Sequence, residues 1–400
     1  MTRTLIASVG TGTRASDKAV ESLAGSIAFS VNHFNPDKVC FVVSHESETR
    51  TLPKILEKIG KIHHEVFRIS TPDNIQRIFH EIKPKIEALR KESNYLAVDY
   101  TSGTKAMTGA LVMLGVLSEA DVLIYISGER KNGVVVSGTE APQTVQPNFA
   151  ICEKKFETAV SLFNNHQYTA TLSLLQDIEN KTKEPSIYQR IHHLREASLA
   201  YSLWDRFEHE EAFKHLENLK DPEFNLNKKF LGKLLNTDEL ERNTYYIADL
   251  YNNATRRGEE GKYDDAVARL YRITELLAQH RLRKKYNINT SEIPVSAIPE
   301  KLRKAWNIEK DRGTTQIGLR RAYNLLKELG DPLGSLLDSN KMRDLLSKRN
   351  FSILAHGLQP VTAETFQDMR DEIYAAAAQL IPRLDCLIEE STFKKIKTLP

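Results

Sequence analysis

The sequence is poor in cysteine, in net charge and in long apolar runs. Its three cysteines, Cys40, Cys152 and Cys386, are widely separated and fit neither a disulfide framework nor a zinc-binding pattern. The 56 basic and 53 acidic residues leave a net charge of +3, which argues against a tail-driven nucleic-acid binder of the histone type. No apolar run approaches the roughly twenty residues that span a bilayer. We therefore expect a soluble protein of a reducing cytoplasm, without membrane association.

The first third of the chain alternates short apolar runs with segments of helical spacing. Strands alternating with helices require right-handed crossovers and therefore favour a mainly parallel sheet with helices on both faces. Residues 1–145 are thus predicted to form a doubly wound, Rossmann-like α/β domain. The predicted strands are residues 5–9, 39–43, 65–69, 95–98 and 122–126.

Two loops rich in glycine and threonine follow the first and fourth predicted strands. A loop of this kind at the start of a helix offers free backbone amides and the positive end of the helix dipole, which suit a phosphate group. In a parallel sheet both loops lie beyond the carboxyl ends of the strands, where ligands bind. The candidate ligand-binding residues are Gly10, Thr11, Gly12, Thr13, Thr101, Ser102, Gly103, Thr104 and Lys105.

The first loop alone also permits a dinucleotide-binding site. GTGTRA satisfies the loose GxGxxG/A fingerprint, and Asp37 lies at about the distance expected of a ribose-binding acid. Asp37 precedes the second predicted strand, however, whereas a ribose-binding acid should end it. The second loop lacks the GxxxxGK[ST] spacing of a Walker A motif. A nicotinamide-dependent oxidoreductase remains an alternative.

Taken together, SVGTGTR and DYTSGTKAM resemble the two ligand-binding motifs of the CRISPR-associated Rossmann-fold (CARF) domain. Ser102 stands where that family usually has a glycine. The resemblance implies a homodimer that binds a cyclic oligoadenylate, a ring of 3′–5′-linked adenosines, across its two-fold axis. We favour a ring of four over a ring of six, although no residue fixes the size, and expect this activator and no cofactor.

The character of the sequence changes after VVVSGTEAPQTVQPNFA, which we interpret as a turn-rich linker. From Glu153 onward helical spacing dominates. We predict a helical connector over residues 146–238 and a second helical domain over residues 239–400. The phrases LFNNHQYTATLSLL, SLWDRFEHEEAFKHL and GEEGKYDDAVARLYR resemble irregular helical hairpins. The connector aromatics are expected in the core; they are Tyr168, Tyr201, Trp204 and Phe207.

The phrase SKRNFSILAHGL carries a second chemical signal. Arg349 and His356 are seven residues apart, so a continuous helix would place both on one face, two turns apart. An arginine neutralises a phosphorane-like transition state and a histidine moves protons near neutral pH. This pair suffices for metal-independent RNA cleavage by the ribose 2′-hydroxyl, with Asn350 holding the phosphate or that hydroxyl. The same residues also suit an ordinary helix end before Gly357.

The R-N-x5-H pattern resembles the ribonuclease motif of the HEPN fold, a small all-α domain. CARF–HEPN is the architecture of the ancillary ribonucleases of type III CRISPR systems. The resemblance implies single-stranded RNA as substrate and a composite site in which Arg349, Asn350 and His356 of two subunits face each other. It predicts cleavage that leaves a 2′,3′-cyclic phosphate and a 5′-hydroxyl, with no metal ligands.

Basic residues before the motif give weaker support for RNA contact. Residues 301–321 contain seven Lys or Arg against Glu309 and Asp311, and RLRKK occupies residues 281–285. Such runs are usually solvated surface, and a non-catalytic cyclic oligoadenylate sensor therefore remains a further alternative.

Overall fold

The computed structural model describes residues 2–12, 16–131, 134–136, 138–181, 185–308 and 313–397. The chain divides into two compact units, each described by itself. The first comprises Met1–Glu157 with Asp177–Glu184, and the second comprises Thr158–Gln176 with Pro185–Pro400.

A six-stranded sheet forms the centre of the first unit. Its strand order is β3-β2-β1-β4-β5-β8, and all neighbours are parallel except β5 and β8. The predicted Rossmann-like α/β fold is therefore confirmed. The six strands are β1 (Arg3–Val9), β2 (Lys38–Val43), β3 (His63–Arg68), β4 (Tyr95–Asp99), β5 (Val122–Ser127) and β8 (Ala141–Val145). The short β6 (Arg130–Lys131) and β7 (Val134–Val135) pair with each other in a separate two-stranded sheet.

Helices cover both faces of this sheet because alternate strand residues are apolar on each side. Leu5 and Ala7 of β1 lie in one buried cluster with Ile27, whereas Ile6 lies in the other with Ile82. Parallel strands buried on both faces need such continuous apolar runs. The helices are α1 (Asp17–Phe34), α2 (His45–Arg50), α3 (Leu52–Ile59), α4 (Ile75–Glu92) and α5 (Lys105–Leu117).

The segment interpreted as a linker contains a strand of the sheet, so that interpretation is wrong for β8. β8 pairs antiparallel with β5, with Ile126 opposite Pro142. Proline cannot donate to a neighbour, and an edge strand is where it is tolerated. The turn-forming residues of this segment therefore suggested a loop, although Pro142 lies in an edge strand.

The second unit is helical apart from one two-stranded pairing within its described residues. α6 and α7 contribute residues to both units. The helices are α6 (Asn148–Asn164), α7 (Tyr168–Lys181), α8 (Pro185–Asp205), α9 (His209–Asn218), α10 (Asn225–Asn236), α11 (Glu239–Glu259), α12 (Tyr263–Tyr286), α13 (Glu300–Ala305), α14 (Leu319–Glu328), α15 (Asn340–Asn350), α16 (Ala363–Leu380) and α17 (Leu384–Ser391); the strands are β9 (Ile293–Pro294) and β10 (Thr314–Thr315), and 3₁₀ turns occupy Pro222–Phe224, Val295–Ala297 and Pro332–Asp338.

The three hairpin-like phrases fold into three turns of the same shape. His166, Phe207 and Gly261 all adopt positive φ, at 62°, 65° and 73°. In each turn the amide of that residue bonds to the carbonyl three residues earlier, and the next amide bonds to the carbonyl five residues earlier. This is the Schellman pattern that ends helices. The predicted helical hairpins therefore share a backbone geometry despite their irregular spacing.

An aromatic cluster in the second unit holds the C-terminal segment of the chain. Phe393 stacks on Tyr201, with ring centroids 4.0 Å apart, and its ring lies 3.7 Å from the Arg256 guanidinium carbon. The Asn164 side-chain amide donates to the Ile396 carbonyl and accepts from the Ile396 amide, each at 2.8 Å. Of the predicted core aromatics, Tyr168, Tyr201 and Trp204 are buried and Phe207 is half-buried.

Candidate functional site

The two glycine- and threonine-rich loops meet because β1 and β4 are neighbours. Their register pairs Ile6 with Val98 and Ala7 with Asp99, so both strands end together at the same edge of the sheet. The amide of Gly10 donates to Ser102 Oγ at 3.0 Å, and the Ser8 hydroxyl donates to the Ser102 carbonyl. We call residues 10–12 and 101–105 the paired loops.

Glycine is required where the paired loops touch. A Cβ on Gly10 would lie 2.7 Å from the backbone nitrogen of Gly103, closer than real Cβ contacts allow. Gly103 has φ +116°, a conformation that side chains disfavour. The glycines therefore serve the contact between the two loops as well as any approach of a ligand.

The hydroxyls of the second loop point into the protein. Ser102 is buried, Thr101 Oγ1 accepts from the Ile126 amide at 2.8 Å, and the Thr104 hydroxyl donates to the Pro72 carbonyl. Thr104 Oγ1 also accepts from the Met107 amide and so caps α5. The hydroxyls of Thr101 and Thr104 are therefore used to shape the loop. That these residues contact a ligand stays a prediction.

The groups that remain open at this edge are fewer. Gly12 and Lys105 are exposed and Thr11 is half-buried, and Lys105 is the first residue of α5. Backbone amides at a helix start and an adjacent ammonium group suit an anion. Thr13 lies outside the described residues.

Two aspartates distinguish this edge of the sheet from the opposite one. Asp99 ends β4, is buried, and accepts from the Thr101 amide at 2.7 Å; burial raises the pKa of its carboxyl, and the bond to Thr101 opposes that rise. Asp37, by contrast, precedes β2, and its carboxylate accepts from the Arg3 amide at 2.7 Å. Asp37 therefore lies at the amino ends of the strands, away from Gly10, which removes the ribose-binding acid of a dinucleotide site.

The Arg349–His356 motif does not lie on one helix, so the predicted helical spacing is wrong. α15 ends at Asn350, and residues 351–359, which we call the motif loop, fold back over its end. The His356 amide donates to the Asn350 carbonyl at 3.1 Å, and the Gln359 amide donates to the Phe351 carbonyl at 3.0 Å. The loop, and not a helix face, keeps the His356 backbone next to Asn350.

A close backbone contact fixes this loop. A Cβ on Gly357 would lie 2.0 Å from the Phe351 carbonyl oxygen, so only glycine fits. Buried Ser352 anchors the turn, its carbonyl accepting from the amides of Ala355 and Gly357. The exposed side chain of His356 follows from this geometry.

Arg349 is half-buried and lies against α12. Its guanidinium carbon is 4.0 Å from the centre of the Tyr271 ring, and its Nη1 donates to Asn350 Oδ1 at 3.2 Å. The motif loop exposes several large apolar side chains. Each of them is more than half exposed: Phe351, Ile353, Leu354 and Leu358.

Several predicted RNA-contacting cations are paired with carboxylates. Arg281 and Lys285 contact buried Asp331 at 2.8 and 3.1 Å, and Lys301 contacts Glu328 at 2.8 Å. In residues 301–321, Lys310 and Arg312 lie outside the described residues, as do Glu309 and Asp311. The basic flank is thus partly structural.

The described residues show neither a metal-binding cluster nor a membrane-spanning helix. They contain no group of three or more His, Cys, Asp or Glu placed to hold a metal ion. No helix among them is long and apolar enough to cross a membrane.

Comparison with known proteins identifies the family. A family model described as the Csm6 HEPN domain matches residues 236–379, and one described as the Csm6 6H domain matches residues 152–244, together more than half of the chain. The chain belongs to the Csm6 family of CARF–HEPN CRISPR ancillary proteins. The recognition of a CARF–HEPN protein and the fold class, an α/β domain followed by an all-α region, are thereby confirmed. The ribonuclease activity and the boundaries at residues 145 and 238 stay predictions.

Among solved structures, the chain is similar to Enterococcus italicus Csm6 bound to cyclic hexa-2′-fluoro-hexa-dAMP. The two share 14% identity over 98% of each chain, with a TM-score of 0.62. At this identity the likeness shows a shared fold. No curated protein matches the chain.

Neither Tyr271 nor the exposed apolar surface of the motif loop is apparent from the sequence. Tyr271 carried no motif, and its contact with Arg349 depends on how α12 packs. The apolar residues of the motif loop can be seen in the sequence. On the predicted helix, however, they would have been buried against the rest of the domain.

Proposed function

We propose that this Csm6-family chain is a cyclic oligoadenylate-activated, metal-independent endoribonuclease that cleaves single-stranded RNA in type III CRISPR antiviral defence. The observation that carries the proposal is the meeting of Arg349, Asn350 and His356 at the end of α15, where the motif loop returns His356 to within one backbone hydrogen bond of Asn350. The three side-chain types match the chemistry of RNA transesterification.

In the proposed reaction the ribose 2′-oxygen attacks the adjacent phosphorus. The bond from phosphorus to the 5′-oxygen of the next nucleotide breaks, leaving a 2′,3′-cyclic phosphate and a 5′-hydroxyl. A histidine accepts the 2′-hydroxyl proton, a protonated histidine supplies one to the leaving oxygen, and Arg349 offsets the charge on the phosphorane. A dimer with facing His356 residues would supply one histidine for each proton transfer.

The exposed apolar side chains of the motif loop support that dimer. Leu358 is 87% exposed, and a soluble surface rarely groups several such residues. A second copy of the same loop would cover them while bringing the second histidine to the site. The activator is proposed to bind at the paired loops, where exposed Lys105 begins α5. The similar Enterococcus protein was solved with a six-membered ring analogue, so rings of four and six both belong in the test.

The decisive experiment measures cleavage of a single-stranded RNA with rings of three, four and six adenosines, with and without a metal chelator. We expect one ring to activate cleavage, a cyclic phosphate product, and no effect of chelation. Tight ring binding with no cleavage would favour the non-catalytic sensor, and cleavage that stops with chelation would contradict the mechanism.

Mixed dimers test the composite site. Heterodimers of wild type with the Arg349→Ala, His356→Ala double variant should retain much less than half of the wild-type rate per dimer, because one site draws on both chains. Heterodimers that keep half of the wild-type cleavage rate would show that each subunit has an independent site.

A further inference from the structure

The guanidinium of Arg349 rests on the face of the Tyr271 ring. The ring belongs to α12 and the arginine to α15, and the guanidinium carbon is 4.0 Å from the ring centre. We infer that Tyr271 is a positioning residue, which orients the Arg349 guanidinium for the scissile phosphate without touching the RNA. This inference rests on the proposed ribonuclease function.

Arg349 has few other contacts that could orient it. Among the described residues its side chain makes no ion pair, and its one hydrogen bond is the 3.2 Å contact from Nη1 to Asn350. Its Nε is buried without a hydrogen-bond partner. Arg256 and Arg281, by comparison, are each fixed by an aspartate, at 2.9 and 2.8 Å.

An aromatic face suits an arginine that must bind phosphate. A carboxylate partner would occupy the N–H groups and cancel part of the charge that the transition state needs. A ring face attracts the cation through its quadrupole and leaves the N–H edges of the guanidinium free. Tyr271 therefore orients Arg349 and leaves its hydrogen-bonding capacity to the substrate.

The ring, and not the hydroxyl, makes this contact. Burial raises the pKa of Tyr271, Glu275 adds to the rise, and the charges of Arg349 and Arg320 oppose it. The phenol is therefore neutral near neutral pH, and no ion pair forms with Arg349. Within the described part of the chain, its hydroxyl has no hydrogen-bond partner, so Phe is the conservative replacement.

The test compares Tyr271→Leu with Tyr271→Phe in the full-length protein at saturating activator. We expect Tyr271→Leu to lower kcat about tenfold with little change in the KM for RNA, since a misoriented Arg349 affects the transition state. Tyr271→Phe should stay within about twofold of wild type. The matched control is Tyr95→Leu in the first unit, because Tyr95 also lies beside an arginine, with the Arg3 guanidinium carbon 5.9 Å from its ring centre. It should leave kcat unchanged.

Some results would overturn the inference. Equal losses in Tyr271→Phe and Tyr271→Leu would assign the role to the hydroxyl, and wild-type kcat in Tyr271→Leu would show that Arg349 needs no ring. If Tyr271→Leu does not fold, Tyr271→Met replaces it, since methionine adapts to irregular spaces.

A second readout separates this inference from the proposed function. The Nε–Hε NMR signal of Arg349, assigned through Arg349→Lys, should be shifted upfield by the ring in wild type and Tyr271→Phe, and should lose that shift in Tyr271→Leu. An inactive wild type with the shift present would refute the ribonuclease but keep the stack. An unshifted signal in an active wild type would refute the stack alone.

Discussion

The paired loops of the first unit and the motif loop of the second differ in where their side chains point. In the paired loops, Thr101, Ser102 and Thr104 turn their hydroxyls inward and bond one loop to the other or to its surroundings. The motif loop instead turns His356 and several apolar side chains outward. One region is held in shape within a single chain, whereas the other leaves surface that a second copy would cover. The first therefore fits a preformed ligand site, and the second fits a site completed by association.

The largest effect should come from the motif loop. His356→Ala should lower the rate of RNA cleavage by about 10²- to 10⁴-fold, because general acid–base catalysis is lost. Ring affinity should not change, since His356 belongs to the other unit. The control is His80→Ala, which removes an exposed histidine from α4 of the first unit. Cleavage that survives His356→Ala would place the chemistry elsewhere.

At the paired loops, Lys105→Ala should raise the ring concentration needed for half-maximal activation about ten- to a hundredfold, because a charge-assisted contact is lost. Titration calorimetry with the ring measures the same loss directly. Lys91→Ala is the matched control, since Lys91 is exposed near the C-terminal end of α4. An unchanged affinity in Lys105→Ala would mean that the ring binds away from α5.

If the motif loop is completed by a second copy, Leu358→Asn should weaken that association. Burying one leucine contributes enough free energy for a loss of about tenfold in cleavage at low protein concentration. The loss should diminish as protein concentration rises. Val145→Asn, on the exposed side of β8, serves as the control. A concentration-independent loss would show that Leu358 acts on RNA and not on assembly.

The smallest effects concern two buried aspartates, one in each unit. Burial disfavours charged Asp331, but hydrogen bonds from Arg281 and Lys285 outweigh it and hold its pKa below the ordinary value. Its contribution to stability is therefore present above about pH 4 and is lost as pH falls further. Burial raises the pKa of Asp99, so its contribution is present in acid and is lost as pH rises.

Thermal denaturation between pH 3 and 7 tests this contrast, with each variant as the other's control. Asp331→Asn should lower the unfolding free energy by about 1 kcal/mol at pH 7, because solvent screens its half-exposed partners, and the difference should shrink toward pH 3. Asp99→Asn should gain stability relative to wild type as pH rises. Parallel pH profiles for both variants would contradict the assigned directions.

Some features of the fold and site were predictable because they depend on neighbours in the sequence. Apolar runs located five parallel strands, and strand order then brought the loops after β1 and β4 together. The RN…H residues were identified by type and spacing. The prediction that one helix carries both Arg349 and His356 was wrong. Residues 351–356 contain no proline or glycine that would mark the end of α15. β8 was not predicted because proline usually indicates a turn, and the sequence does not show that Pro142 lies in an edge strand, where proline is tolerated.

The sequence by itself determined the two-part architecture, the glycine-rich loops and the identities of Arg349, Asn350 and His356, since each follows from local periodicity or composition. Only the tertiary structure decided that Ser102 joins the two loops, that Arg281 and Lys285 are paired with Asp331, and that Tyr271 lies under Arg349. These contacts join residues far apart in the chain. Their formation depends on how whole helices and strands pack, which spacing within one element does not encode.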